Sequence, residues 1–172
     1  MDKNQSGSIP ADFGSQDLQL ITGDPLGESN FTFALKNKGV ILKNDTLRAI
    51  TPFDDNFTFS VWVKPEGNFT IHFGDLNITR DTRLNNSNAE YKIDAQGSLN
   101  PQVENYWTHL AVVMEDNNVT LFVDGRNNGT HITSKSFSDG NLSITENDGR
   151  PIIIDECKIY HAALSESKVR YL

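Results

Sequence analysis

Seven consecutive residues, Phe57-Thr58-Phe59-Ser60-Val61-Trp62-Val63, alternate strictly between two faces. Phe57, Phe59, Val61 and Val63 line one side, and Thr58, Ser60 and Trp62 line the other. A period of two is the signature of a strand. A lone strand cannot bury its apolar face, so the rest of the chain must supply partners and a cover. It does so in short pieces: Phe31-Thr32-Phe33-Ala34-Leu35, Val40-Ile41-Leu42, Phe69 to Phe73, Tyr91 to Ile93, Trp107 to Met114 and Val119 to Val123. Trp107 to Met114 is apolar on both faces, which places it centrally in a sheet. Clusters of Asn, Asp and Gly separate the pieces. Lys64-Pro65-Glu66-Gly67 is expected to turn the chain, and Asp124-Gly125 after a strand is a hairpin signal. Such spacing with almost no helical period means a β-sandwich or barrel. Only the end is helical in pattern. Ser165 suits an N-cap, Leu164 and Val169 suit a hydrophobic staple, and residues 166–171 form one short helix. Residues 1–17 lack periodicity and are expected to be a flexible tail or linker before a single domain over 18–172.

Composition narrows the function. The chain has 172 residues and a net charge of −8. It is long enough for one self-sufficient core, and its acidity disfavours nucleic acid, whose phosphates reward Lys and Arg clusters. No apolar run approaches the roughly 18 residues of a membrane span, so no membrane insertion is expected. The single cysteine, Cys157, permits no internal disulfide. The start, Met1-Asp2-Lys3-Asn4-Gln5-Ser6-Gly7-Ser8, is too polar for an export signal and reads as a linker or the edge of an excised segment.

Asparagine is abundant, at 18 residues. Asn4, Asn30, Asn44, Asn56, Asn68, Asn77, Asn85, Asn118, Asn128 and Asn141 open N-x-S/T triplets, where random placement gives about three. These are candidate N-glycosylation sites and point to an extracellular, cell-surface or virion-surface glycoprotein. The competing explanation is that turn-rich β proteins gather Asn, Ser and Thr in the same places.

The closing stretch runs Pro151-Ile152-Ile153-Ile154-Asp155-Glu156-Cys157-Lys158-Ile159-Tyr160-His161-Ala162-Ala163-Leu164-Ser165. Strand periodicity puts Ile153, Asp155, Cys157 and Ile159 on one face. A carboxylate among apolar groups needs a partner, either backbone N–H groups or a metal ion. This block, together with Phe57 to Pro65 and with Trp107-Thr108-His109-Leu110-Ala111-Val112-Val113 followed by Val119 to Gly125, resembles the laminin-G-like branch of the concanavalin A lectin/glucanase superfamily. The resemblance covers about residues 30–172. It implies an all-β, two-sheet antiparallel jelly-roll sandwich closed by one short C-terminal helix. It also implies one structural calcium ion with Asp155 among its ligands; the alternative is an Asp155 that accepts N–H groups from the opening strand.

Catalysis finds little support. Glucanases of this superfamily need an E-x-D-x-E strand that sets two acids about 5–5.5 Å apart, and the chain has none. Asp54-Asp55 and Glu115-Asp116 fall in expected turns, and Asp155 and Glu156 point to opposite faces. His109 is expected to bond within the sheet, while His72, His131 and His161 are expected on the surface. Cys157 reads as a core residue rather than a nucleophile. Trp62 is a candidate sugar-stacking platform. The polar stretches Asn77–Asn88 and Asn127–Asp139 read as loops and are the expected ligand-binding rims. The leading expectation is a non-catalytic recognition or adhesion module of a larger surface protein, binding glycan or an extracellular protein. A structural coat, surface-layer or virion decoration domain is the alternative, and a glycoside hydrolase ranks third.

Overall fold

The structure is a computed structural model that describes residues 8–9, 18–19, 31–35, 38–50, 55–82, 88–93, 102–103, 106–134 and 141–172. Along the chain these form β1 (Ser8–Ile9), β2 (Leu18–Gln19), β3 (Phe31–Phe33), β4 (Lys38–Leu42), β5 (Thr46–Ile50), β6 (Phe57–Pro65), β7 (Phe69–Phe73) and β8 (Leu76–Thr82). They continue as β9 (Asn88–Ile93), β10 (Gln102–Val103), β11 (Thr108–Glu115), β12 (Asn118–Val123), β13 (Arg126–Ile132), β14 (Asn141–Glu146), β15 (Ile152–Tyr160) and α1 (Glu166–Val169). One sheet has the order β13-β12-β11-β6-β15-β4-β3 and the other β10-β9-β8-β7-β14-β5. All pairings are antiparallel. Two residues of the expected tail, Ser8 and Ile9, pair with Gln19 and Leu18 in a separate ribbon; the rest of 1–17 lies outside the described residues.

The sheets face each other through their apolar sides. Phe57, Phe59, Val61 and Val63 of β6 are fully buried, as are Phe69, Ile71 and Phe73 of β7. Phe73 touches two rings of the opposite sheet, with centroids 5.6 Å from Phe57 and 5.2 Å from Phe59. Leu110, Val112 and Met114 of β11 and Leu121 of β12 extend the core on one side; Ile78 of β8 and Ile144 of β14 extend it on the other. The last two strands are inserted between earlier ones: β14 between β7 and β5, and β15 between β6 and β4. This is the two-sheet antiparallel jelly roll that the family resemblance implied, and one of the two architectures, sandwich or barrel, that the strand spacing left open.

Several local expectations need correction. β6 runs through Pro65 instead of turning at Lys64, and the Glu66 N–H still donates to Pro151 O at 3.1 Å before the chain turns. The turn that follows packs tightly: a Cβ on Gly67 would collide with Asp148 Oδ1 and lie 2.7 Å from Arg150 Cβ. The stretches expected as loops at 77–88 and 127–139 contain β8 and β13. β8 turns Leu76, Ile78 and Arg80 inward but has polar residues between them. β13 is an edge strand and stays largely exposed. Residues 83–87 and 135–140 lie outside the described residues. The Asp124-Gly125 hairpin is present as expected, with both residues at positive φ (48° and 72°), the backbone that a two-residue type I′ turn requires.

Candidate binding surfaces

Each sheet has an outer face, and the two differ in what covers them. On the seven-stranded sheet the chain leaves β15 and doubles back. Thr58 pins this return: its Oγ1 donates to Ala162 O at 2.8 Å and accepts Leu164 N–H at 2.9 Å. Val169 of α1 is buried with Ala111, Val113 and Phe122, and Ala163 and Leu164 pack against them. Arg170 Nε then donates to Gly125 O at 3.3 Å. Ser165 flanks the helix start as expected, but its hydroxyl meets Ser167 Oγ at 3.0 Å and caps no helix N–H. The helix is four residues long, shorter than the six expected.

Beside this cover, Ser60 Oγ lies 2.8 Å from His109 Nε2, and the Trp62 ring stacks at a tilt on the imidazole with 5.1 Å between centroids. Burial lowers the His109 pKa against a smaller opposing effect of Asp124, so the ring is neutral at pH 7. Asp124 Oδ1 accepts the main-chain N–H of His109 at 2.9 Å rather than a ring proton. Ser60 and His109 are both buried. The pair therefore ties β6 to β11, as expected of a sheet histidine. Trp62 is half-buried on this face.

Periodicity alone misassigned the closing strand. Asp155 pairs with Trp62 and Lys158 pairs with Ser60, so Glu156 and Cys157 together oppose Val61. This is a β-bulge, and its extra residue reverses which side chains face inward. Ile152 and Ile154 enter the core before it, and Cys157 and Ile159 after it. Ile153 and Asp155 face out, contrary to the single shared face expected. Glu156 takes φ +49°. Asp155 Oδ1 accepts the Glu156 N–H at 2.8 Å, and Lys158 Nζ pairs with Glu156 Oε2 at 2.8 Å. The described residues supply Asp155 as one carboxylate, and no three His, Cys, Asp or Glu side chains converge among them. Calcium takes six to eight oxygens, backbone carbonyls among them, and Asp155 would supply one of these. Burial also pushes the Cys157 thiol well above its usual range.

The outer face of the six-stranded sheet carries a ladder of polar side chains. Arg48, Ser143, His72 and Asn77 stand in one cross-strand row, and Thr46, Thr145, Thr70, Thr79 and Lys92 in the next. Neighbours bond one another. Thr46 and Thr145 hydroxyls are 3.1 Å apart, His72 Nδ1 and Asn77 Oδ1 2.6 Å, and Asn147 Nδ2 donates to Thr70 Oγ1 at 2.8 Å. Lys92 pairs with Asp81 at 3.2 Å. Arg48 is exposed, and His72, Asn77, Thr79, Ser143 and Thr145 are half-buried. Sequence reasoning missed this surface because, although β7 and the end of β9 were read as strands, β8 was read as a loop and β5 and β14 were skipped. The usable signal was the alternation of Leu76, Ile78 and Arg80 with Asn77, Thr79 and Asp81.

At one end of the sandwich three turns interlock. Glu146 is buried and accepts the N–H groups of Asn44, Asp148 and Gly149. Asp148 accepts the Asn68 N–H at 2.9 Å and the Arg150 guanidinium at 2.8 Å. Partial burial works against ionisation of Asp148, but these donors outweigh it and hold its carboxyl below the usual range. Inside the sandwich, Arg80 is buried and donates from Nη1 to Gly67 O at 2.5 Å. Its cross-strand neighbour Tyr91 has its phenol pushed up to about 12 by burial, with Arg80 opposing. From sequence, Tyr91 was read only as the start of a strand, and Arg80 was not singled out.

The candidate sequons fall into classes. Asn44, Asn56, Asn118 and Asn141 are exposed, and Asn68 and Asn77 are half-buried. Asn128 has its amide nitrogen buried without a hydrogen-bond partner. Asn4, Asn30 and Asn85 lie outside the described residues. In five triplets the middle residue is a core side chain: Phe57, Phe69, Ile78, Val119 and Leu142. The third residue then faces the other side of the strand, so N-x-T also serves here as a strand-entry pattern.

A family model of the laminin G type, described as the concanavalin A-like lectin/glucanases superfamily, matches residues 36–170. The chain belongs to this laminin-G-like family. Adhesion G-protein coupled receptor V1 of Danio rerio is 24% identical over 152 residues, covering 68% of this chain and 2% of the receptor. The binding domain of Paraclostridial Mosquitocidal Protein 1 superposes with a TM-score of 0.63 at 16% identity, covering 82% of this chain and 44% of that one. Domain 4 of AbnA, a GH43 extracellular arabinanase from Geobacillus stearothermophilus in complex with arabinotriose, gives 0.61 at 17% identity, covering 82% and 79%. For a laminin-G-like chain these structural likenesses establish the fold, and the receptor match shows that such a unit spans a small part of its relative.

Proposed function

We propose that this laminin-G-like domain is a non-catalytic recognition or adhesion module of an extracellular protein, and that it binds glycan across the outer face of its six-stranded sheet. One observation carries the reading. That face presents two cross-strand rows of hydroxyl, amide, imidazole, guanidinium and ammonium groups, whereas the opposite face is partly covered by the domain's own C-terminal segment. Donors and acceptors at strand spacing suit the hydroxyls of a saccharide, and a few well-placed polar groups fix orientation. Two similar folds come from proteins named as the binding domain of a mosquitocidal protein and as an arabinanase domain complexed with arabinotriose, which supports recognition as the role. No helix among the described residues is long and apolar enough to cross a membrane.

The test is a glycan array with purified domain in calcium and in EDTA, repeated with a His72→Ala, Arg48→Ala variant. Binding to a defined sugar class that the variant loses supports the ladder as the site. Binding that survives in the variant removes it, and silence throughout, with protein capture in its place, moves the ligand class to protein. Calcium at Asp155 is part of the proposal. A calcium-dependent rise in melting temperature that Asp155→Asn abolishes supports an ion there; identical melts in calcium and EDTA remove it.

A further inference from the structure

The ten N-x-S/T triplets are equivalent as text but not in space. N-glycosylation joins the asparagine Nδ2 to the anomeric carbon of an oligosaccharide. The donor is a lipid-diphosphate-linked oligosaccharide supplied by a eukaryotic secretory pathway. The bond from the anomeric carbon to the diphosphate oxygen breaks, the lipid diphosphate leaves with the electron pair, and one Nδ2 proton is lost to base. Oδ1 keeps its lone pairs. A folded chain can hold the product only where Nδ2 has a path to solvent, whatever Oδ1 is doing.

Asn56 illustrates the permitted case: its Oδ1 accepts the Asp116 N–H at 2.8 Å while the residue remains exposed. Asn44, Asn118 and Asn141 are exposed as well. Asn128 is the opposite case. It lies where β13 shifts register against β12 between Thr120 and Phe122, next to Gly129 at φ 137°. Its Nδ2 has essentially no solvent contact. A sugar on that nitrogen would have to force the irregular edge open. We infer that the folded domain accepts N-linked glycans at Asn44, Asn56, Asn118 and Asn141 and excludes them at Asn128. The inference rests on the extracellular reading of the protein, but not on its ligand.

Two threonines allow a matched experiment. Thr120 completes the Asn118 triplet and Thr130 the Asn128 triplet, and their hydroxyls are 2.9 Å apart across the two strands. Replacing either by valine removes the same cross-strand contact, so the structural cost is shared and the glycan readout differs. The wild type, Thr120→Val and Thr130→Val are secreted from a glycosylating eukaryotic host and compared by intact mass and glycopeptide mapping. The expected result is occupancy at the four exposed asparagines, loss of one glycan's mass in Thr120→Val and no mass loss in Thr130→Val beyond the substitution. Glycan on Asn128 in the folded secreted protein overturns the exclusion. Bare asparagine at all four exposed positions overturns the acceptance. Glycan-array binding by unglycosylated bacterial protein is unaffected by either result, so failure here is distinguishable from failure of the recognition role.

Discussion

His109 sits between β6 and β12, bonded to Ser60 and covered by Trp62, and burial keeps it neutral. Its folded pKa lies below the ordinary 6.5, so the unfolded chain takes up a proton first as pH falls. The stabilisation is present above pH 6.5 and lost as pH drops through the depressed value. Melting temperatures of wild type and His109→Gln, followed from pH 7.5 to 5, are expected to converge as the pH falls. A constant gap would mean that His109 does not titrate differently on unfolding. Cys157 makes a second residue-scale prediction. Burial disfavours its thiolate and hides the sulfur, and the thiolate is the reactive form. A disulfide reagent at pH 8 is expected to label it only at the rate of unfolding, and at once in denaturant. Thr58 is a third case. Thr58→Val keeps the shape but leaves the Leu164 N–H without its acceptor, a loss of about 1–3 kcal/mol, read from urea denaturation.

At the scale of elements, legibility followed burial on both faces. β6, β11 and β12 were plain in the sequence because their inward positions are unbroken runs of Phe, Val, Leu and Met. β8 and β14 were not, because each alternates apolar with Asn, Thr or Ser and reads as turn chemistry when pairing partners are unknown. β13 has no apolar face to show, since it is the sheet's rim. The polar ladder went unseen with β8 and β14. The same Asn-x-Thr spacing that suggested glycan acceptors also marks where outward Asn, inward apolar residue and outward Thr begin a strand. The bulge at Glu156 was invisible for another reason: one inserted residue leaves composition untouched and changes only phase. It makes a sharp prediction. Deleting Glu156 removes the bulge, leaves Cys157 alone opposite Val61, and keeps Cys157 and Ile159 facing the core with β15 still in register with β6. The deletion is therefore expected to keep one cooperative transition in urea, and loss of cooperativity would show that the bulge itself is required; Glu156→Gly, which relieves the positive φ but removes the Lys158 ion pair, is expected to stay folded within about 1 kcal/mol of wild type.

For the whole molecule, the sandwich is held by interior contacts between sheets and by one polar clasp of turns at its end. Phe73 reaches across to both Phe57 and Phe59. Phe73→Ala is expected to cost about 3–5 kcal/mol and to lower a single calorimetric transition; two separate transitions would show that the sheets unfold independently. The strand order adds a consequence in time. Neither sheet has a continuous middle until β14 and β15 slot between strands made far earlier. A ribosome delivers these two strands after the other strands of the sandwich, so a nascent chain halted before residue 141 has neither β14 to join β5 to β7 nor β15 to join β4 to β6. Such long-range pairings are slow to form. The emerging polypeptide must wait with open strand edges, and its exposure to proteases and chaperones ends only when the final strand has been released.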